Sequence, residues 1–386
     1  MAFTRALTRT VASALALPTL LVACSPATTG PEASRTTSSS KVSPLVKSAP
    51  TPPACDVASM PLRDRLAQLL MVGVKDGADA SAVVTDQHVG GIFIGSWTDR
   101  TRLTDGSLDG IRAASGPVAL AVSVDEEGGR VSRLSGLIGS QASPRVLAQT
   151  MTPAQVHDIA FDRGQKMHGL GITVDFAPVA DVTTESDDEV IGDRSFGSDP
   201  ATVTDYAGAY AQGLRDAGVL PVLKHFPGHG HASGDSHTGG VTTPPLADLK
   251  ANDLVPYQTL TTQAPVAVMV GHMQVPGLTG TDPASLSANA YGLLRSGGYG
   301  GPPFDGLVFT DDLSSMGAIN QRYSVPDAVL RALQAGADVA LWVTTAEVPA
   351  VLDRLERAVN SGELPQQRVD DAFGKLVTAK GTIQRC

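Results

Sequence analysis

The fold class that the sequence predicts is a single (β/α)8 barrel of the TIM type. Three observations lead there. Short apolar runs, eight of them, alternate with longer helical patterns. From Asp56 onward about 330 residues remain, a length that suits one large α/β domain. Two polar insertions, 183–197 and 228–243, each follow the end of an apolar run, where a barrel carries its active-site loops. The competing architecture, a doubly wound open sheet, calls for a Gly-rich dinucleotide turn after the first strand, and the chain has none there.

The strand-like runs are 70–74, 89–95, 118–125, 172–178, 219–226, 266–273, 306–311 and 338–343. They are rich in Val, Ile and Leu without strict alternation, as strands buried on both faces are. Helical patterns cover 61–70, 152–169, 201–218, 326–336, 347–361 and 366–380. Thr152-Pro153 reads as an N-cap followed by a proline at the first helical position. Gly218 is placed to close the helix that starts at 201.

Residues 1–23 read as a secretory signal. Arg5 and Arg9 form a basic start, an apolar run extends from Val11 to Val22, and Leu21-Val22-Ala23-Cys24 follows. The run is too short and wrongly flanked for a membrane span. Its Leu-x-Ala-Cys ending resembles a bacterial lipobox, which implies that Cys24 is acylated and that the exported chain is anchored on the outer face of the cell membrane. Residues 24–55 are dominated by Ser, Thr, Pro, Ala and Gly, a composition that cannot bury enough apolar surface to offset its ordering entropy and so predicts a flexible tether. The folded domain is expected over 56–386. Only Cys55 and Cys386 remain after Cys24, one at each end of that domain, and two cysteines in an exported protein are expected to pair. The net charge of −10 argues against non-specific nucleic-acid binding and against a polybasic membrane patch.

The chemistry concentrates in four segments. The first is Lys224-His225-Phe226-Pro227-Gly228-His229-Gly230 with Asp235-Ser236-His237 after it. A strand runs directly into it, so Lys224 and His225 sit at the barrel mouth. Asp235 beside His237 can fix the imidazole's tautomer and favour its protonated form. The crowding of His225, His229, His231 and His237 also admits a metal site, against which stands the lysine heading the cluster and repelling an ion. The second is Val308-Phe309-Thr310-Asp311-Asp312-Leu313-Ser314. Asp311 is the first polar residue after the strand and points a carboxylate toward the cleft, while Asp312 is placed to brace the loop. The third is Asp125-Glu126-Glu127-Gly128-Gly129-Arg130-Val131-Ser132-Arg133, in which Asp125 accepts and Arg133 donates hydrogen bonds of the kind that grip sugar hydroxyls. The fourth is Gly192-Asp193-Arg194-Ser195-Phe196-Gly197, with Arg194 as a further donor.

Together and in this order the four segments resemble glycoside hydrolase family 3, and more narrowly its bacterial single-domain β-N-acetylglucosaminidases. The resemblance runs from about Pro61 to Lys380. It implies Asp311 as nucleophile, His237 as acid/base with Asp235 as its partner, and Asp125, Arg133, Arg194, Lys224 and His225 as the residues that hold N-acetylglucosamine. It also implies peptidoglycan-type saccharides, such as muropeptide fragments, as substrates. Neither a metal nor an organic cofactor is expected, and a monomer is. One departure is Glu126, where relatives often carry Gln, a change conservative in size. Other readings remain open. They are a phosphorylase using the same residues, a sugar-binding lipoprotein without catalysis, and a metal-dependent hydrolase.

Overall fold

The computed structural model describes residues 60–381. Cys24, Cys55 and Cys386 lie outside the described residues, as do the leader and the whole of the tether. The eight barrel strands are β1 Leu70–Gly73, β2 Gly91–Ile94, β3 Ala121–Val124, β4 Val174–Asp175, β5 Leu220–Phe226, β6 Ala267–Val270, β7 Val308–Thr310 and β8 Ala340–Trp342. Each overlaps one of the eight apolar runs. They form one parallel sheet in the order β8-β1-β2-β3-β4-β5-β6-β7. Val72 pairs with Ile92, Met269 with Phe309, and Leu70 with Ala340. A parallel bridge between Phe309 and Val339 spans the remaining gap, so the sheet is a nearly closed barrel.

A helix follows every strand: α1 Gly77–Gln87, α2 Ser107–Ala113, α3 Pro153–Gly169, α4 Pro200–Asp216, α5 Val255–Leu260, α6 Ala288–Arg295, α7 Val325–Ala335 and α8 Val348–Ser361. The starts have local causes. Thr152 caps α3 by a reciprocal pair: the Gln155 backbone N–H donates to its hydroxyl (3.3 Å), and its own N–H donates to the Gln155 side chain (2.9 Å). Asp199 accepts the Thr202 N–H at the start of α4 (2.9 Å). The cap residue at the end of α4 is Ala217, and Gly218 follows it at φ 81°, a conformation that costs glycine little. Helices α3 and α4 approach closely because Gly213 has no side chain, since a Cβ there would lie 2.4 Å from the His157 carbonyl oxygen.

All seven residues of β5 are buried, as expected for a strand covered by helices outside and side chains inside. The rings of Phe93, Phe176 and Phe309 come from non-adjacent parts of the sheet and meet at centroid distances of 5.8 and 5.5 Å, which places them inside the barrel. The closing helix, Gln366–Gly381, carries Lys380 into an apolar setting near the amino ends of the strands. There its ammonium donates to the Gly90 carbonyl at 2.6 Å, and burial lowers its pKa to about 7.

Candidate active site

The carboxyl ends of the strands surround a cavity of about 260 Å³. Phe93 of β2, Met269 of β6 and Leu341 of β8 give it apolar walls, and the polar groups come from the loops that follow the strands. Asp125, Arg133, Arg194, Lys224, His225, His237 and Asp311 all line it. Asp235 does not reach the cavity but stands behind His237. The volume is at the low end for a small-molecule pocket and suits one sugar ring.

One side is a dense charge network. Lys224, 3% exposed, donates to Asp125 at 2.7 Å and to Glu127 at 2.6 Å. Glu127 also accepts two parallel bonds from Arg194, from Nε and from a terminal nitrogen, each 2.8 Å. Burial opposes the charge on Glu127, but Arg194 and Lys224 outweigh it and hold the carboxyl far below its usual range. Burial likewise opposes the Lys224 ammonium, and Asp125 and Glu127 raise its pKa in spite of it. His225 is oriented from below: its Nδ1 donates to Asp181 at 2.7 Å, and Asp181 also accepts the backbone N–H of His229 at 2.7 Å. The other ring nitrogen of His225 lies 3.5 Å from Arg194, on the cavity side. Among the described residues the Arg133 guanidinium has no protein partner, although the Arg133 backbone is tied down by Glu126.

Asp311 is fixed by its own backbone, whose N–H donates to the Val270 carbonyl of β6 at 3.0 Å. Its side chain accepts the Asp312 N–H at 2.8 Å. Burial works against its charge, yet His272, His225, that N–H and Lys224 outweigh it and lower the carboxyl to about 2, so it is a carboxylate at any ordinary pH. Asp312 braces the loop, accepting from the backbone and hydroxyl groups of both Ser314 and Ser315. His272 is hydrogen-bonded through Nε2 to the Asp312 carbonyl at 2.8 Å and through Nδ1 to the Ser285 hydroxyl at 2.7 Å.

His237 stands apart from the buried network, with its side chain 61% exposed. Asp235 accepts both its Nδ1–H (2.7 Å) and its backbone N–H (2.9 Å), which leaves Nε2 free to face the cavity. Partial burial opposes ionisation of Asp235, and the two bonds from His237 lower its pKa nonetheless. The loop is pinned from outside as well: Gly317 and Ala318 donate to the carbonyls of His237 and Ser236 at 3.0 and 3.1 Å. The four crowded histidines therefore go to different partners. His225 goes to Asp181, His229 to Ser236, His231 to Asp253 and His237 to Asp235. No group of three His, Cys, Asp or Glu side chains among the described residues could hold a metal ion.

Glu127, Asp181 and His272 were not singled out from the sequence. Each lies at or just beyond the end of an apolar run, and polarity at that position is the signal that marks a barrel's functional face. Glu126 is also more than a size-matched replacement for Gln. Its fully buried carboxylate pairs with Arg163 and accepts the backbone N–H groups of Arg133 (2.8 Å) and Leu134 (2.7 Å).

A barrel mouth that interleaves carboxylates with cations suits a ligand rich in hydroxyls, and an ionised Asp sharing that mouth with an Asp-braced imidazole can supply the nucleophile and the proton donor that cleavage of a glycosidic bond needs. Comparison with known proteins gives the same class. Residues 61–379 match the Glycosyl hydrolase family 3 N terminal domain, and the chain belongs to that family. It is 64% identical over 385 residues to Beta-hexosaminidase LpqI of Mycobacterium tuberculosis, covering 98% of each chain. Its structure is similar to that of a glycosyl hydrolase of the same family from Mycobacterium smegmatis, at 74% identity and a TM-score of 0.85 over 86% of this chain and 100% of the other. It is also similar to a family 3 β-N-acetylglucosaminidase from Paenibacillus, at 33% identity and a TM-score of 0.78 over 84% of this chain and 63% of the other.

Proposed function

We propose that this glycoside hydrolase releases terminal β-linked N-acetylglucosamine from peptidoglycan-type saccharides with retention, through a covalent glycosyl-enzyme. β-Hexosaminidase activity is supported by the family and by its 64% identical relative. The observation that carries the finer reading is the shared cavity, lined both by the ionised, buried Asp311 and by the Asp235-braced His237 with its Nε2 left unbound. An Asp311 oxygen attacks the anomeric carbon as the bond to the aglycone oxygen breaks. The Nε2–H of His237 gives its proton to that oxygen. A water then attacks the same carbon, His237 takes its proton, and the Asp311 ester is released. Asp125, Arg133, Arg194, Lys224 and His225 hold the sugar, and Lys224 and Arg194 are already locked in place by Glu127.

The test is hydrolysis of a chromogenic β-N-acetylglucosaminide beside the β-glucoside by the wild type and Asp311→Asn. The wild type should prefer the first substrate, Asp311→Asn should lose most turnover while retaining the sugar, and a 2-fluoro sugar inactivator should label Asp311. Labelling at Asp312 would overturn the assignment. Around this core the reading is of an exported monomer tethered by a lipid on Cys24, with Cys55 and Cys386 joined. No helix of the described residues is long and apolar enough to cross a membrane. Mass analysis of the exported protein after alkylation without reductant checks both the acyl group and the bridge.

A further inference from the structure

The cavity has a closed end and an open rim. Lys224 and Glu127, 3% and 1% exposed, mark the closed end. His237, 61% exposed, marks the rim. A second rim residue stands out. Trp97, on the loop after β2, lines the same cavity and is 47% exposed, one of three large hydrophobic residues so exposed among those described.

A tryptophan exposed at a cavity rim offers a ring face to a ligand, and this one is held in place. Its ring lies over Gly95, where a Cβ would come within 2.5 Å of three ring carbons, so the seat exists only because that residue is glycine. One edge packs on Phe93, with centroids 5.9 Å apart. The turn beneath is fixed by buried Thr98, whose hydroxyl donates to the Val74 carbonyl at 2.7 Å and accepts the Gly95 N–H at 3.0 Å. A rigid flat ring, seated from below and bare above at the rim of a polar pocket, is matched by the apolar C–H face of a second pyranose.

We propose that Trp97 is the platform on which the leaving sugar stacks, so that it sets a preference for saccharide aglycones over small alkyl ones. The inference rests on the proposed reading, in which the terminal N-acetylglucosamine fills the closed end. The leaving sugar must then lie in the open rim, between the His237 loop and the Trp97 turn.

The chain's only other tryptophan, Trp342, is fully buried, so emission that responds to a ligand at the rim reports Trp97. In Asp311→Asn, a β-linked N-acetylglucosamine disaccharide should shift and enhance the emission, while N-acetylglucosamine alone should leave it nearly unchanged. The disaccharide's signal should vanish in Asp311→Asn/Trp97→Phe although calorimetry still detects binding. In the otherwise wild-type enzyme, Trp97→Ala should lower the ratio of kcat/KM for the disaccharide to that for the methyl glycoside about tenfold, the return for covering one ring face, and Trp97→Phe should keep most of it. An equal loss on both substrates, or an emission change with the monosaccharide alone, would overturn the platform. Wild-type protein that cleaves neither substrate would instead sink the catalytic reading, and the emission test would still decide on Trp97.

Discussion

Replacing Glu127 by Gln tests whether the sugar-binding side of the site is preorganised by a residue that no ligand needs to touch. The side chain is 1% exposed and receives three charge-assisted bonds, two of 2.8 Å from Arg194 and one of 2.6 Å from Lys224. Gln keeps the shape but loses the charge, and its amide turns donors toward donors. Lys224 would still hold Asp125 at 2.7 Å, whereas Arg194 would lose its one carboxylate partner. Breaking a buried pair from one side costs about 3–5 kcal/mol. With Lys224 still half compensated, the lower end applies, about 3 kcal/mol, divided between folding stability and sugar affinity. Urea denaturation and steady-state kinetics on a chromogenic β-N-acetylglucosaminide separate the two shares. Glu127→Leu combined with Arg194→Met should recover most of the stability, because no charge is left buried alone, but should recover no activity. Glu127→Gln with an unchanged urea midpoint and unchanged kcat/KM would refute the reasoning, and so would a double variant that regains turnover.

Three further outcomes are expected. Asp311→Asn should lower stability by roughly 2 kcal/mol at pH 7, since a carboxyl lowered to about 2 stabilises the fold above the unfolded value near 4; the gap to the wild type should narrow as pH falls from 4 toward 2, and a gap that persists at pH 2 would exclude an electrostatic origin. Lys380→Met should stabilise the fold below pH 7, where the wild type buries an ammonium with no carboxylate partner beside it among the described residues. Because the native lysine loses its proton near pH 7 and the unfolded one only near 10, wild-type stability should rise across that interval and the variant's advantage should shrink, as urea midpoints at pH 6 and 9.5 would show. His237→Ala should cost far more on a natural disaccharide than on a nitrophenyl glycoside, whose leaving oxygen hardly needs a proton; a uniform loss would place the donor elsewhere.

The barrel was legible because its signal is compositional. A strand buried on both faces has to be apolar throughout, and β5 is the clearest case. Helix α1 was not anticipated for the converse reason, since only Ala80, Val83 and Val84 of its 11 residues are buried and its apolar stripe is too thin to read. The hairpin pairing Glu126–Gly128 with Val131–Ser132 also went unseen. Its two-residue turn is Gly129-Arg130, entered through Gly128 and Gly129 at φ 91° and 55°, and that glycine pair reads equally as a pliable binding loop. Asp235 and His237 were legible as a pair because they are two residues apart and their bond is local. Glu127 meets Arg194 across 67 residues and Asp181 meets His225 across 44, so these contacts exist only once the barrel brings the strand ends together.

The two halves of the site obey different physics, and this is why they can be perturbed separately. On the binding side every cation but Arg133 already has a buried carboxylate partner, so a sugar meets donors that do not move and pays little for ordering them. On the proton-transfer side His237 is exposed, is held chiefly by one short loop, and acts through a single nitrogen. A defect in the first half changes how well any N-acetylglucosaminide is gripped, whatever its aglycone. A defect in the second changes only the step in which the leaving oxygen needs a proton. Glu127→Gln should therefore lower kcat/KM by the same factor for nitrophenyl and disaccharide substrates, while His237→Ala should not. If both variants showed the same dependence on leaving group, the network around Glu127 would have to reach His237 directly, and the division of labour drawn from the geometry would fail.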